Sequence, residues 1–325
     1  MSNWFQGGKY RLQIVDQPDQ MTAIEELQRI VWPGSETEIV PAHLLITVAN
    51  NGGFVIGAFY LEEASISSTN LSAGTNNGHI PPGSPLVGFV YGFPGLYQTP
   101  DGPRLKHTSH QMGVHPEHRS HGLGFALKRA QWQMVRHQGI DRITWTYDPL
   151  LSRNAYLNIS KLGAVCNTYM RDVYGHLRDG LNFGIATDRL KVDWWTNSQR
   201  VNQRLSKNAR GKLDLAHFLS AGAEIVNPTR IDQNGLPQTD FDEEENMTLG
   251  FIKQKYTPPI ILVEIPEDFL ELKAKDIDLA IKWRMLVRSL LEFYFEQGYY
   301  ITDFVHLSSK TARSFYTLSD GNSTL

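Results

Sequence analysis

The stretch His107–Gly124, HTSHQMGVHPEHRSHGLG, decides the fold. Lys106–Val114 reads as an apolar strand, and Pro116 interrupts it. Gly122–His137 then carries Leu123, Leu127, Ala130 and Met134 on one helical face, with Gly139 as the stop. The turn between them is Arg119-Ser120-His121-Gly122-Leu123-Gly124. The first amides of a helix have no internal partner, and the helix dipole adds positive charge there. A pyrophosphate suits such a place. Gly122 and Gly124 lack a Cβ, so phosphate oxygens can come close to the backbone, and Arg119 adds a charged fork. Arg-x-x-Gly-x-Gly alone is a weak pattern; its position between a strand and a helix is what gives it meaning. A P-loop is excluded because no G-x-x-x-x-G-K-[ST] occurs, and a dinucleotide fingerprint fits poorly.

Outward from this turn, Tyr10–Val15 reads as a first strand. Met21, Ile24, Leu27, Ile30 and Val31 recur at helical spacing until Trp32-Pro33-Gly34, and a short helix is expected over Pro41–Ala49. Gly53–Leu61 and Leu86–Phe93 are apolar strands around a Ser/Asn/Gly/Pro-rich insertion, Glu63–Pro85, that cannot pack a core. Downstream come a strand over Arg142–Tyr147, a helix over Ser152–Leu162 closed by Gly163, and strands over Ala164–Val173 and Arg189–Trp195. This order predicts an α/β fold with a mixed sheet and one parallel crossover after the Lys106 strand. Past Thr196 the chain changes. Ser198–Thr257 is polar and holds the acidic run Asp240–Glu245. Then Ile260–Ile265 reads as a buried strand, Asp276–Gln297 as a long helix with an Ala280/Trp283/Val287/Leu290/Tyr294 stripe, and Tyr299–Leu307 as a strand. The expected division is 1–196 and 197–325, with the second part a β-α-β extension that cannot leave its apolar faces exposed and packs on the first. A degenerate half-repeat of Lys106–Tyr147 and a plain accessory element are both open readings.

Composition narrows the function. The chain has 325 residues, 41% hydrophobic and 20% charged, with a net charge of -3. There is no basic excess for nucleic acid. Cys166 is the one cysteine, which fits a reducing compartment. The start has no apolar leader core, and no apolar run reaches the roughly 18 residues of a membrane span. The expectation is a cytoplasmic protein with no membrane or nucleic-acid partner. His107, His110, His115, His118 and His121 recur at close spacing, but no cysteine lies nearby and the phosphate turn already accounts for the last three; no metal is expected.

VHPEHRSHGLGFALKRA resembles the acyl-coenzyme A signature of the GNAT superfamily of N-acyltransferases, and SRNAYLNISKLGA (Ser152–Ala164) resembles its second signature, with Ala155, Lys161, Leu162 and Gly163 in matching places. The likeness covers about residues 10–196. It implies acetyl-CoA or succinyl-CoA as co-substrate. The pantetheine arm would lie where the Lys106–Val114 and Arg142–Tyr147 strands splay, paired with the backbone of Met112, Gly113 and Val114. The amides of Arg119, Ser120, His121, Gly122, Leu123, Gly124 and Phe125 would hold the pyrophosphate. Asn154 and Asn158, one turn apart, could offer amides to the arm, or simply be solvated.

Two departures from the family pattern matter. Where many members carry a Glu base, this chain has His110, whose ordinary pKa suits base chemistry. Where many carry a Tyr acid, it has Ile159. Tyr147, Tyr156, Tyr169 and Tyr174 are substitutes, and Tyr174, before Gly175 at a strand end, is the expected acid. The TWTYDPL-x-x-RNA run with the later TDR resembles a longer, less characterised GNAT branch, and implies an amino-acid acceptor and a succinyl-type group. Asp148 and Arg189 would then bind the acceptor's ammonium and carboxylate; the plainer reading is an ion pair. The expected reaction is direct transfer to the amine of a small acceptor. A non-catalytic acyl-CoA sensor and an interaction protein with a vestigial loop are the rivals, and a homodimer is left open.

Overall fold

The computed structural model describes residues 9–34, 36–61, 80–175, 184–206, 213–239, 258–307 and 312–320. The core of the Glu63–Pro85 insertion and the acidic run Asp240–Glu245 lie outside them. The described chain is mixed α/β and divides into two compact units, Met1–Ile143 and Thr144–Leu325. This division falls inside a strand, at 143/144.

In the first unit the strands run in the order β1 (Tyr10–Val15), β2 (Phe54–Tyr60), β3 (Leu86–Thr99) and β4 (Gly102–Val114), each antiparallel to the next. Helices α1 (Pro18–Val31) and α2 (Ala42–Asn50) bury Met21, Ile24, Leu27 and Leu45 against Val55, Phe59 and Phe89. Burying each such side chain contributes roughly 1.5–3 kcal/mol. β3 and β4 run on past the core as a hairpin, so β4 begins at Gly102, ahead of the expected Lys106. The hairpin is not regular throughout. Tyr91 pairs with Gln111 and Gly92 with Ser109, which leaves His110 as an extra residue on β4. Such a bulge re-aims a side chain. Gly92 lies where a Cβ would meet His107 Nε2 and the Thr108 carbonyl at 2.4 Å, so a bare backbone is needed there. Helix α3 (Leu123–His137) follows the turn.

The second unit opens with β5, which begins at Arg142 in the first unit and ends at Tyr147. A helical segment follows, α4, made of an α turn over Ser152–Ala155 and a π turn over Tyr156–Lys161. The sheet order is β5, β7 (Arg189–Trp195), β6 (Val165–Met170), β12 (Tyr299–Leu307), β13 (Arg313–Asp320), β11 (Ile260–Ile265), β8 (Glu224–Ile225). Short helices α5 (Gln199–Leu205) and α6 (Leu215–Ser220) and the small pair β9 (Arg230–Ile231) and β10 (Pro237–Gln238) occupy the polar stretch. Helices α7 (Phe269–Lys275) and α8 (Ile277–Glu296) start at Asp268 and Asp276, whose carboxylates accept from the third amide on. The α8 stripe is buried as its spacing requires.

This order has an internal symmetry. β5-α4-β6-β7 places its strands as β5, β7, β6, and β11-α7/α8-β12-β13 places its strands as β11, β13, β12. Antiparallel pairing of Ile301 with Cys166 joins β12 to β6 at the midpoint. In each half the arginine that opens the last strand faces a carboxylate: Arg189 lies 3.7 Å from Asp148, and Arg313 lies 2.6 Å from Glu264. The strand order is thus mirrored about the β6–β12 pair.

Candidate functional site

In the first unit, β4 delivers Met112, Gly113 and Val114 to the turn. His115 N donates to the Val87 carbonyl at 2.9 Å, which ties the turn's start to β3. A short 3₁₀ turn, Pro116–His118, comes next, with Glu117 N donating to His115 Nδ1 at 3.3 Å. Arg119 Nε donates to the Val114 carbonyl at 3.1 Å, which anchors the guanidinium beside the turn. Ser120 and Gly122 take left-handed φ values of 67° and 79°. Alternation of this kind turns amides into an anion-binding concavity. Gly122 is the N-cap of α3; it offers no side-chain cap, and the first helical closure is Ala126 N to Gly122 O at 3.1 Å. The amides of Leu123, Gly124 and Phe125 therefore have no intrahelical acceptor. Nothing lies within 4 Å of where a Gly122 Cβ would be, so the approach to these amides is open. Backbone donors, a dipole end and Arg119 together fit a phosphate.

Aromatic rings flank the turn. The Tyr10 hydroxyl lies 3.1 Å from His118 Nδ1, and Tyr60 packs on the same ring at 5.1 Å. Burial, then His115, holds the His118 pKa below the usual histidine value. Among the described residues no three His, Cys, Asp or Glu side chains gather as a metal site, although the His115 and His118 rings lie 5.6 Å apart.

Behind the turn lies a polar network that sequence reasoning missed. Lys128 is 3% exposed, and its Nζ donates to Ser109 Oγ at 2.8 Å. Gln131 lies 3.3 Å from Nε2 of the fully buried His107, whose ring stacks on Phe54 at 4.8 Å. Burial lowers Lys128 to about 7, and burial, with Lys128 adding to it, lowers His107 to about 3. These residues hold α3 on β4. Lys128 and Gln131 lie three apart on a helix face that also carries Leu127 and Ala130, and only that spacing pointed inward.

His110 is an exposed residue, yet its ring stacks on Tyr91 at 5.3 Å and tilts on Phe93 at 6.0 Å. This partial loss of hydration holds its pKa below the ordinary value.

In the second unit, Asp148, Arg189 and Tyr174 come together. Tyr174 Oη lies 3.2 Å from Thr146 Oγ1, and the Arg189 guanidinium stacks under its ring at 5.2 Å. Asp148, however, is not an open receptor for an ammonium. It is 9% exposed and accepts from both terminal nitrogens of Arg284, at 2.9 and 2.6 Å. Arg189 donates to the Asp188 carbonyl at 2.8 Å, and Asp188 in turn takes both forks of Arg288 and the Tyr169 hydroxyl. Asn154 and Asn158 do not share an exposed face: Asn154 is exposed and Asn158 is 5% exposed. The π turn separates them, and Leu162 N reaches back five residues to the Leu157 carbonyl at 2.9 Å. Ile159 is fully buried, and Cys166 is buried with its thiol pushed up to about 12 by burial. Neither side chain can take part in proton transfer at a surface. Among the described residues no helix is long and apolar enough to cross a membrane.

No protein-family model matches the chain, and no curated protein does. Solved structures do. A putative acetyltransferase of the GNAT family from Desulfovibrio desulfuricans is 13% identical, with 57% of this chain and 99% of that one covered and a TM-score of 0.38. NAA60 of Arabidopsis thaliana in complex with acetyl-CoA is 13% identical over 58% of this chain and 99% of that one, with a TM-score of 0.41. The ribosomal-protein-S18-alanine N-acetyltransferase of Escherichia coli is 11% identical over 58% and 95%, with a TM-score of 0.37. What the chain is similar to among solved structures, over somewhat more than half its length, is acetyltransferases of the GNAT kind.

Proposed function

We propose that the chain is an acyl-CoA-dependent N-acyltransferase of the GNAT class that moves an acetyl or succinyl-type group to the amine of a small acceptor. The observation that carries this reading is the turn at Arg119–Phe125. Its left-handed Ser120 and Gly122, its uncapped helix start and its anchored arginine suit a pyrophosphate. Met112–Val114, at the end of β4, is the backbone that would pair with the pantetheine arm. In the reaction the amine lone pair attacks the thioester carbonyl, the nitrogen gives up one proton to solvent, the C–S bond breaks, and coenzyme A leaves as a thiolate that takes up one proton. Backbone amides would stabilise the oxyanion between those steps. Tyr174 is the proposed proton donor: its hydroxyl has Thr146 beside it, and Arg189 lies against its ring. Arg189, though only 9% exposed and bonded to the Asp188 carbonyl, is also the proposed contact for an acceptor carboxylate, through the edge of its guanidinium; Asp148 supports the site through its arginines and does not touch the acceptor.

Calorimetry with coenzyme A, followed by turnover of labelled acetyl-CoA and succinyl-CoA against a panel of amines and amino acids, tests the reading. Binding with turnover of at least one amine is expected. Absence of binding would remove the proposal. Binding without any turnover would support the second reading, a non-catalytic acyl-CoA sensor, which the buried Ile159 at the usual acid position favours.

A further inference from the structure

We infer that Tyr91 fixes His110 as a hydrogen-bond donor: the Tyr91 hydroxyl donates to His110 Nδ1, so the other ring nitrogen presents Nε2–H instead of a lone pair. The two groups lie 3.0 Å apart, Oη to Nδ1, with the rings stacked at 22°. The β4 bulge makes this contact. Because His110 has no residue opposite it in the register, its ring lies over Tyr91 of the neighbouring strand. Phe93 also tilts against the ring, at 6.0 Å.

The direction of the hydrogen bond follows from what each group can give. A phenol has one proton, and a neutral imidazole has one donor and one acceptor nitrogen. Tyr91 is 2% exposed, and burial raises its pKa well above the ordinary range, so the proton stays on the oxygen. A buried O–H left without an acceptor costs about 1–3 kcal/mol. His110 Nδ1 is the acceptor within reach. If the ring donated to the phenol instead, the phenol proton would lose that acceptor. Tyr91 therefore donates, Nδ1 accepts, and the imidazole proton resides on Nε2.

The consequence changes the role expected from sequence. A base needs a free lone pair. Nδ1 is taken by Tyr91 and Nε2 bears its proton, so His110 does not draw a proton from an ammonium. It donates to an oxygen of the bound substrate, a carbonyl or a carboxylate, and the acceptor amine enters as the free base. This role rests on the acyltransferase reading; the tautomer does not.

Histidine-labelled full-length protein, examined by two-bond 1H–15N correlation, decides the tautomer. The Nε2–H form of His110 is expected in the wild type, and a shift toward a tautomer mixture in Tyr91→Phe, which keeps the stack and removes the donor. An Nδ1–H form in the wild type, or an unchanged tautomer in Tyr91→Phe, would overturn the inference. Kinetics then test the role. Gln at position 110 carries an N–H near the Nε2 position and cannot act as a base. His110→Gln is expected to recover at least about tenfold of the kcat/KM lost in His110→Ala. Equal losses in the two variants would overturn the donor role. Lack of turnover in every form would count against the proposed function alone, since the spectra would still report the tautomer.

Discussion

Arg284 on α8 grips Asp148 at the end of β5 with both terminal nitrogens, at 2.9 and 2.6 Å, and the two side chains are only 3% and 10% exposed. They are 136 residues apart in the chain. Removing one partner of a buried pair leaves an uncompensated charge, at a cost of about 3–5 kcal/mol. Arg284→Met should therefore unfold at a much lower urea concentration than the wild type. Adding Asp148→Asn should restore part of the loss, because the stranded carboxylate is gone. Urea titrations of the two variants side by side check this; equal stability would show that the charge is not what the pair guards.

Gly122 supplies the next test. Its φ of 79° is strained for any L side chain, and the space around its Cβ position is empty, so the cost of a substitution is in the backbone and in what approaches it. Gly122→Val should lose about 1–2 kcal/mol of stability and remain folded. Its affinity for coenzyme A should fall by more than about tenfold, because a branched side chain would stand where the phosphate comes in. Thermal melting and calorimetry read the two effects separately. A folded variant with wild-type affinity would move the phosphate site elsewhere.

Acid should weaken the first unit through His107. Its pKa is lowered to about 3 in the fold, by burial first and Lys128 second, against about 6.5 when unfolded. Above pH 6.5 neither state holds the proton and the group is neutral to stability. As the pH falls below 6.5 the unfolded chain binds the proton first, so stability declines until about pH 3, by up to about 5 kcal/mol across that window. Lys128, lowered to about 7 by burial, gives the same sign at higher pH: stability should rise from pH 7 toward 10.5. His107→Leu should flatten the acid limb in urea titrations at pH 4 and pH 7. An unchanged acid limb would assign the loss to other groups.

How much of this was legible depended on whether a residue's environment is local. β1, β7, β11 and β12 begin and end where their hydrophobic patterns do. The α8 stripe is buried as spaced. By contrast β13 was missed, because Ser314 and Thr317 are buried between Phe315, Tyr316 and Leu318 and made the segment look polar. Arg284 and Arg288 sit one turn apart on an amphipathic helix, where charge usually faces water; their carboxylates lie at distant strand ends. His110 was picked out by its place before the turn, but its bulge and its Tyr91 partner are facts of register, which no local pattern contains. The π turn over Tyr156–Lys161 likewise depends on a five-residue backbone closure that helical spacing does not signal.

Truncation after Thr196 is the test of the second unit. Loss of the remainder would strip β6 of its partner β12 and leave an open strand edge, which invites association with other chains. It would also take Arg284 and Arg288 away from Asp148 and Asp188, and leave two buried carboxylates without their guanidiniums. Arg200 and Arg204 of α5, which bond the Thr302 carbonyl and the Asp303 carboxylate, would go with it, as would the Tyr316 hydroxyl that donates to the Pro149 carbonyl at 2.8 Å. The losses that fall on the retained chain, among them the bonds from Arg200 to the Gly163 carbonyl and from Arg204 to the Ser160 carbonyl, lie between β5 and β7, the part that carries Tyr174 and Arg189. The fragment 1–196 should aggregate on size-exclusion chromatography or melt well below the full chain. Restoring charge alone, by Asp148→Asn and Asp188→Asn in the fragment, should not recover a monomer, because the β6 edge remains open. A soluble, monomeric fragment with full stability would show that the strand–helix–hairpin after residue 258 is an independent module, and that its contacts with β6 are not what holds this half of the sheet together.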